Sequence, residues 1–198
     1  MPQDEREIAS VLRAGKRCYQ AHPYFLERYG VRGEAFTRSD GGYLTTLADY
    51  PQSHVDDQVA WLAGVLASRG MPRWLMEEHL DFLYEELSVA VPERTADYAK
   101  LQRAAKNLRE ARQAWIAQAD FEALVSRFDS TSGGGLMRAG ELLVAAVCDE
   151  CSGLVEAVPS LTNWLCDPGR FPPQWCIAAS ETLAGSRALA ARRPQERT

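Results

Sequence analysis

The short stretch Cys148-Asp149-Glu150-Cys151 has the residue types and spacing that most invite chemistry in this sequence. Two neighbouring thiols can bind a metal ion or take part in thiol–disulfide exchange. Catalytic exchange needs the first thiol at a helix N-terminus, where the helix dipole lowers its pKa. The apolar residues ahead of Cys148 predict several turns of helix before it, and the two acids disfavour a thiolate. We therefore expect no redox chemistry at this pair.

A structural zinc site is the second possibility, because Cys166 and Cys176 would complete a set of four ligands with Cys148 and Cys151. The second closely spaced pair that zinc-binding motifs usually contain is absent. In a helix rich in alanine and valine, cysteine also packs well as a small apolar residue. The sequence favours cysteines in the core, with zinc as the alternative.

His79 is the other candidate for cofactor chemistry. It lies between Met76 and Leu83, on the flank of a predicted apolar stripe. A neutral histidine that projects into an apolar pocket can be an axial ligand of haem iron. The predicted helices would also suit a globin-like sensor domain, by analogy of fold alone. The favoured interpretation is a hydrogen-bonded histidine at the edge of the core, with no cofactor and with haem as the alternative.

Several acidic residues lie close to His79 in the sequence. One helical face is expected to contain Glu78, Asp81 and Glu85. A di-metal site of the ferritin-like kind needs a Glu-x-x-His motif on each of two helices, and this motif does not occur here. The pattern is typical of a solvated acidic face. A helical enzyme that uses these acids is a weaker alternative.

Aromatic residues are dense in the first half of the chain. They predict an apolar pocket between an N-terminal aromatic segment and a helical hairpin over Ser53–Val91. The same pattern is typical of the rim of a helical core, so both interpretations stay open. The predicted lining residues are Tyr24, Phe25, Tyr29, Tyr43, Trp61, Trp74 and His79.

The spacing of apolar residues predicts that all the elements that position these residues are helices. Ser53 is a suitable N-cap for one helix, Gly70 ends it with a predicted positive φ, and Pro72 opens the next. So short a link predicts a central antiparallel hairpin. We expect an all-α fold, with a single helical domain of about seven to nine helices over residues 1–185 and a polar tail over 186–198.

Glycine and proline mark the other predicted boundaries. Gly30 should end a short second helix, and the Ser39–Tyr43 stretch, with its paired glycines, predicts a tight turn. The Ser130–Gly135 stretch predicts a linker. One apolar helix should then run from Leu136 to about Val158, where Pro159 ends it.

Composition limits the classes of function. With 46% hydrophobic and 25% charged residues among 198, the chain is expected to fold. A net charge of −5 gives no reason to expect nucleic acid or an anionic membrane as partner. The acidic N-terminus and the lack of a long apolar run predict a cytoplasmic protein. Five cysteines, an odd number, argue against a disulfide framework.

The basic residues that follow Pro92 do not change this expectation. They lack the helix-turn-helix or stacking platform that nucleic-acid binding would need, so we expect them to face the acidic helix.

The sequence as a whole indicates a regulatory or sensory helical module without catalytic activity. Its expected partner is a small apolar molecule or a protein, and it could form a homo-oligomer. The alternatives are a haem- or metal-binding sensor protein, with His79 or the four cysteines as ligands, and the helical enzyme described above.

Overall fold

The computed structural model describes residues 2–192, and this part of the chain contains only helices, turns and loops, with no β-strand. The all-α class is confirmed. The α-helices of the first half are α1 (Glu5–Ala21), α2 (Pro23–Leu47), α3 (Gln52–Ala67), α4 (Arg73–Ala90) and, after a 3₁₀ turn (Pro92–Arg94), α5 (Thr95–Gln113). The others are α6 (Gln118–Thr131), α7 (Ala139–Cys151), α8 (Ala157–Leu165) and α9 (Pro173–Ala190).

Residues 2–192 contain nine α-helices and one short 3₁₀ helix, ten in all, so the expected count of seven to nine is not confirmed. None of the helices described is both long and apolar enough to cross a bilayer. The last helix continues to Ala190, past the predicted start of the polar tail, and the tail beyond residue 192 lies outside the described residues.

Residues 2–192 divide into two compact units. The first comprises the residues up to Ala63 together with Leu75–Arg109, and therefore holds α1, α2 and most of α3, α4 and α5. The second comprises Gly64–Trp74 and the residues from Glu110 onward, and holds α6 to α9.

In the first unit, Asp4 caps α1, because its carboxylate accepts a hydrogen bond from the backbone N–H of Arg6. Gly30 breaks the next helix with φ +57° and ψ −150°, a conformation that favours glycine. The expected helix end at Gly30 is therefore a kink. It divides α2 into a short segment before Gly30 and a longer one after it.

The predicted turn at Ser39–Tyr43 is wrong, because these residues are helical. Gly41 serves close packing instead. A Cβ at this position would lie 3.1 Å from Cγ1 of Val11 and 3.3 Å from Nε2 of His79. The missing side chain therefore lets α2 approach both α1 and α4.

The single helix predicted over Leu136–Val158 is also wrong, since α7 ends at Cys151 and α8 begins at Ala157. Gly153, with φ +101°, ends α7 in a Schellman motif: its N–H donates to the Glu150 carbonyl at 3.0 Å, and the Leu154 N–H donates to the Asp149 carbonyl at 3.0 Å. Pro159 lies in the first turn of α8. A proline N–H is not needed there, so it does not end the helix.

The expected linker at Ser130–Gly135 is instead the end of α6 followed by a packed loop. Gly135 has φ +138°, and a Cβ there would lie 2.7 Å from Cζ3 of Trp175. The Trp175 indole N–H donates to the Leu165 carbonyl at 2.8 Å. The glycines therefore let the loop lie directly on a buried indole in the second unit.

The link between α3 and α4 contains Gly70 with φ +84°, which confirms its predicted conformation. Its N–H donates to the Ala67 carbonyl at 2.9 Å, and the Met71 N–H donates to the Leu66 carbonyl at 3.0 Å. This is a second Schellman motif. The predicted antiparallel packing of the two helices stays a prediction.

Candidate functional site

A cavity of about 860 Å³ opens between α1 and α2 in the first unit. Tyr19 and Gly15 lie in its wall. Its apolar lining residues are Val11, Leu12, Pro23, Leu26, Val31 and Ala35. Its polar lining residues are Lys16, Gln20, Glu34, Thr37 and Arg38.

The cavity follows from the way in which α1 and the longer segment of α2 run antiparallel. A Cβ at Gly15 would lie 3.4 Å from Cγ2 of Thr37, and one at Gly33 would lie 2.1 Å from the Tyr19 hydroxyl oxygen. Together with the Gly41 contact on Val11, these points step along both helices one turn at a time. The helices touch at glycines, so the longer side chains beside those points line the cavity.

Three apolar side chains of this wall are unusually exposed. The exposed fractions are 47% for Leu12, 55% for Leu26 and 78% for Val31. Scattered exposed apolar residues are normal on a protein surface, but these three line one concave site. A ligand that covered them would remove apolar surface from water, which favours binding.

Tyr19 supplies a hydroxyl group within this wall. Its ring stacks on Phe25, with centroids 5.4 Å apart, and its oxygen lies against Gly33. Burial raises the pKa of Tyr19 above its usual value, so the phenol stays protonated at neutral pH. This residue was not predicted as a site residue, although its aromatic type and helical spacing are visible in the sequence.

Two cations lie at the same level of the cavity. Lys16 follows Gly15, and Arg38 follows Thr37, the residue that Gly15 contacts. Both side chains are exposed, and neither forms an ion pair within residues 2–192. Other cations of α1 are paired: Arg13 contacts Glu86 at 2.7 Å, and Arg17 contacts both Glu85 and Glu86, at 2.6 and 3.1 Å.

Three of the predicted pocket residues come together beside the cavity, without lining it. Tyr24 packs against Tyr29 edge to face at 5.9 Å and against Phe25 at 6.4 Å. Arg28 covers the rings of Tyr24 and Tyr29 and donates a hydrogen bond to the Tyr24 hydroxyl. These aromatic residues pack against one another and do not line the cavity.

The other predicted pocket residues are dispersed. The Tyr43 hydroxyl donates to Oε1 of Gln58 at 2.6 Å, while Trp61 is 60% exposed. Trp74 belongs to the second unit, where the Arg138 guanidinium lies 4.4 Å from its ring centroid. Trp74 is buried whereas Trp61 is mostly exposed, and the sequence pattern does not distinguish which of these side chains surround open space.

His79 is buried in the first unit, and neither ring nitrogen forms a hydrogen bond with a residue that the structure describes. The predicted hydrogen-bonded histidine at the edge of the core is therefore wrong. Burial and, to a smaller extent, the nearby His22 lower the pKa of His79 to about 4. The ring is neutral at neutral pH, and a haem iron bound to Nε2 would need the space that Gly41 occupies.

The acidic residues of α4 are engaged in ion pairs. Asp81 accepts from Arg109 at 2.7 Å, as expected for charge complementarity between this helix and the basic one. Glu78 lies 2.9 Å from Nε2 of the buried His22. Glu85 and Glu86 hold the arginines of α1 described above. The predicted solvated acidic face is therefore largely an ion-paired one.

The four predicted cysteine ligands lie in the second unit but do not come together as one group. Cys148 is fully buried, Cys151 is half-buried at the end of α7, and the Cys176 thiol lies 3.5 Å from the Cys166 carbonyl oxygen. Burial raises the pKa of Cys151, and it raises that of Cys166 to about 11. Within residues 2–192, no three histidine, cysteine or acidic side chains form a group that could hold a metal ion.

Asp149, between the two neighbouring cysteines, is the residue of this stretch with a clear structural role. Its carboxylate is buried and accepts hydrogen bonds from the backbone N–H of Arg73 at 2.9 Å and from the Arg73 guanidinium at 2.6 Å. It thereby caps the N-terminus of α4. Burial raises the pKa of Asp149, and Arg73 opposes that rise.

The chain matches no family model, no curated protein and no solved structure. Its function must therefore be inferred from the cavity and from the side chains that surround it.

Proposed function

We propose that this chain is a binding module without catalytic activity, and that its first unit takes up a small, largely apolar molecule between α1 and α2. The observation that carries this proposal is the cavity itself. Its volume of about 860 Å³ lies within the range of roughly 300–1,000 Å³ that small-molecule sites occupy. Its wall combines exposed aliphatic side chains with a few polar groups, as such sites usually do.

The surroundings of the acid–base residues support binding over catalysis. A general acid or base must reach a substrate with its proton or lone pair free. His79 is enclosed, and the carboxylates of α4 are held by arginines and by His22. These groups stabilise the first unit and are poorly placed to act on a ligand.

A regulatory or sensory role follows from where the ligand would lie. It would contact α1 and both segments of α2, on either side of the kink at Gly30. A molecule that binds only the folded arrangement stabilises it in proportion to its concentration. Binding of a ligand in the cavity would therefore increase the stability of the first unit.

Binding of the neutral dye Nile red, whose emission changes in apolar surroundings, tests this proposal. Wild-type protein should bind one dye per chain with increased fluorescence. Ala35→Trp should weaken binding about tenfold or more, because Ala35 lines the cavity and a large ring there fills it.

The matched control is Ala60→Trp, at an exposed position of α3 that does not line the cavity, and it should bind dye as wild type does. Circular dichroism and thermal melting verify that both variants fold. Equal dye binding by wild type and a folded Ala35→Trp variant would overturn the proposal, and so would a wild-type protein that binds no dye.

A further inference from the structure

The two cations of the cavity lie in surroundings that favour an anionic ligand. The chain as a whole carries a net charge of −5, and the neighbouring arginines of α1 are neutralised by Glu85 and Glu86. Lys16 and Arg38 have no such partner among residues 2–192. Two unpaired cations beside exposed aliphatic side chains match a molecule with an anionic head and an apolar body.

The cavity is also elongated. Its lining residues on α1 extend from Val11 to Gln20, which at about 1.5 Å per residue is roughly 14 Å. Glu34 lies next to Gly33, at the level of Tyr19, and repels an anion there. An anionic head is therefore favoured beside Lys16 and Arg38, with the apolar part directed along the wall towards Leu26.

We propose that the ligand of this cavity is a free, single-chain amphiphilic carboxylate of medium chain length, whose head binds Lys16 and Arg38. This inference rests on the function proposed above and adds the chemical class of the ligand. The cavity volume suits one acyl chain better than a two-chain lipid. The net negative charge of the protein opposes docking on an anionic membrane, so a free molecule is favoured over a lipid headgroup.

The test is displacement of Nile red from the wild-type protein by three compounds with the same chain: decanoate, decanol and decyltrimethylammonium. Decanoate should displace the dye at a concentration about tenfold or more below that of decanol, because charged hydrogen bonds add to the same apolar contact. Decyltrimethylammonium should be the weakest competitor.

Single charge removals then locate the head. Lys16→Gln and Arg38→Gln should each weaken decanoate binding several-fold and weaken decanol binding much less, because decanol carries no charge for the cation to pair with. The matched control is Arg32→Gln, which removes an exposed cation of α2 outside the cavity and should leave decanoate binding unchanged.

The outcomes separate the two proposals. If Ala35→Trp abolishes dye binding but decanol competes as well as decanoate, the cavity is a binding site and the carboxylate inference is wrong. If the wild-type protein floats with phosphatidylglycerol vesicles and does not bind monomeric decanoate, the ligand is a membrane surface and the inference is also wrong. If the wild-type protein binds neither the dye nor decanoate, both proposals fall.

Discussion

The two units each bury an ionisable side chain in their interior, and they treat it in opposite ways. In the second unit, Asp149 accepts hydrogen bonds from both the backbone and the guanidinium of Arg73. In the first unit, the His79 side chain of α4 lies against Gly41 of α2, and neither of its ring nitrogens is hydrogen-bonded to a described residue. The Asp149 carboxylate therefore has hydrogen-bond donors in its buried site, whereas the buried His79 ring has no hydrogen-bond partner among the described residues.

Asp149 helps to determine the fold, whereas His79 is a residue whose burial lowers the stability of the fold. A buried carboxylate is stable only with its partners, so Asp149 requires that α4 begin at Arg73. A buried neutral imidazole without partners costs free energy, and the costs grow when acid protonates it. The unit that contains this unsatisfied histidine also contains the open cavity.

The largest effect should come from breaking the satisfied site. Asp149→Ala removes the cap of α4 and leaves the Arg73 guanidinium without its carboxylate, so the free energy of unfolding should fall by about 3–4 kcal/mol. Urea unfolding followed by circular dichroism measures it. The control is Glu150→Gln, the next residue, whose partly exposed pair with Arg187 is worth about 1 kcal/mol or less. Equal losses in the two variants would contradict the assigned role of Asp149.

The next effect concerns acid. The folded pKa of His79, about 4, lies below the ordinary value of about 6.5, so its neutral form stabilises the fold above that ordinary value. This contribution should disappear as the pH falls from about 6.5 to about 4, a loss of about 3 kcal/mol. Urea unfolding across this range measures it.

His79→Leu should remove this pH dependence and, at neutral pH, raise the free energy of unfolding by about 1 kcal/mol, because no unsatisfied polar group remains buried. His54→Leu alters an exposed histidine and should keep the wild-type pH profile. A His79→Leu variant as acid-sensitive as wild type would show that other groups control the response.

A smaller effect tests the close contact between α1 and α2. Gly33→Ala places a methyl group against the Tyr19 hydroxyl and should cost about 2 kcal/mol through overpacking. Adding Tyr19→Phe removes the hydroxyl and should recover part of this loss in a double-mutant cycle of thermal unfolding. In the second unit, a Cβ at Gly64 would meet Cδ2 of Leu154 at an ordinary 3.8 Å, so Gly64→Ala should raise the free energy of unfolding by up to about 1 kcal/mol. Strictly additive effects of Gly33→Ala and Tyr19→Phe would argue against the contact.

The smallest effect is expected at the cysteines. If Cys148 and Cys151 pack as apolar residues, changing both to alanine should cost about 1 kcal/mol, and a chelator should leave the melting temperature unchanged. Metal analysis of the purified protein accompanies the measurement. Unfolding by chelator that added zinc reverses would establish the zinc alternative instead.

Local signals predicted much of the fold. Gly70 marks a helix boundary by a mechanism that acts within one turn of chain, and the structure places a boundary there. The turn predicted at Ser39–Tyr43 was wrong because paired glycines occur both in tight turns and at close contacts between helices. The sequence around Gly41 does not contain Val11 and His79, which decide between the two.

The cavity and the buried polar sites were harder to predict for a related reason. Asp149 meets Arg73 across 76 positions of sequence, and nothing local distinguishes it from an exposed acid. Aromatic residues such as Tyr24 and Phe25 signal burial, whereas a cavity depends on the register of two helices. Only the recurrence of glycine at Gly33 and Gly41, one face of α2, hints at that register.

The stepwise match between α1 and α2 makes the length of the short segment Pro23–Gly30 as consequential as its composition. Each residue of a helix advances the direction of its side chains by about 100°. One residue added before Gly30 would turn Gly33 and Gly41 away from α1 and carry Arg38 away from Lys16. We therefore expect substitutions at exposed Glu27 to be tolerated freely, while insertions and deletions in this segment abolish the cavity.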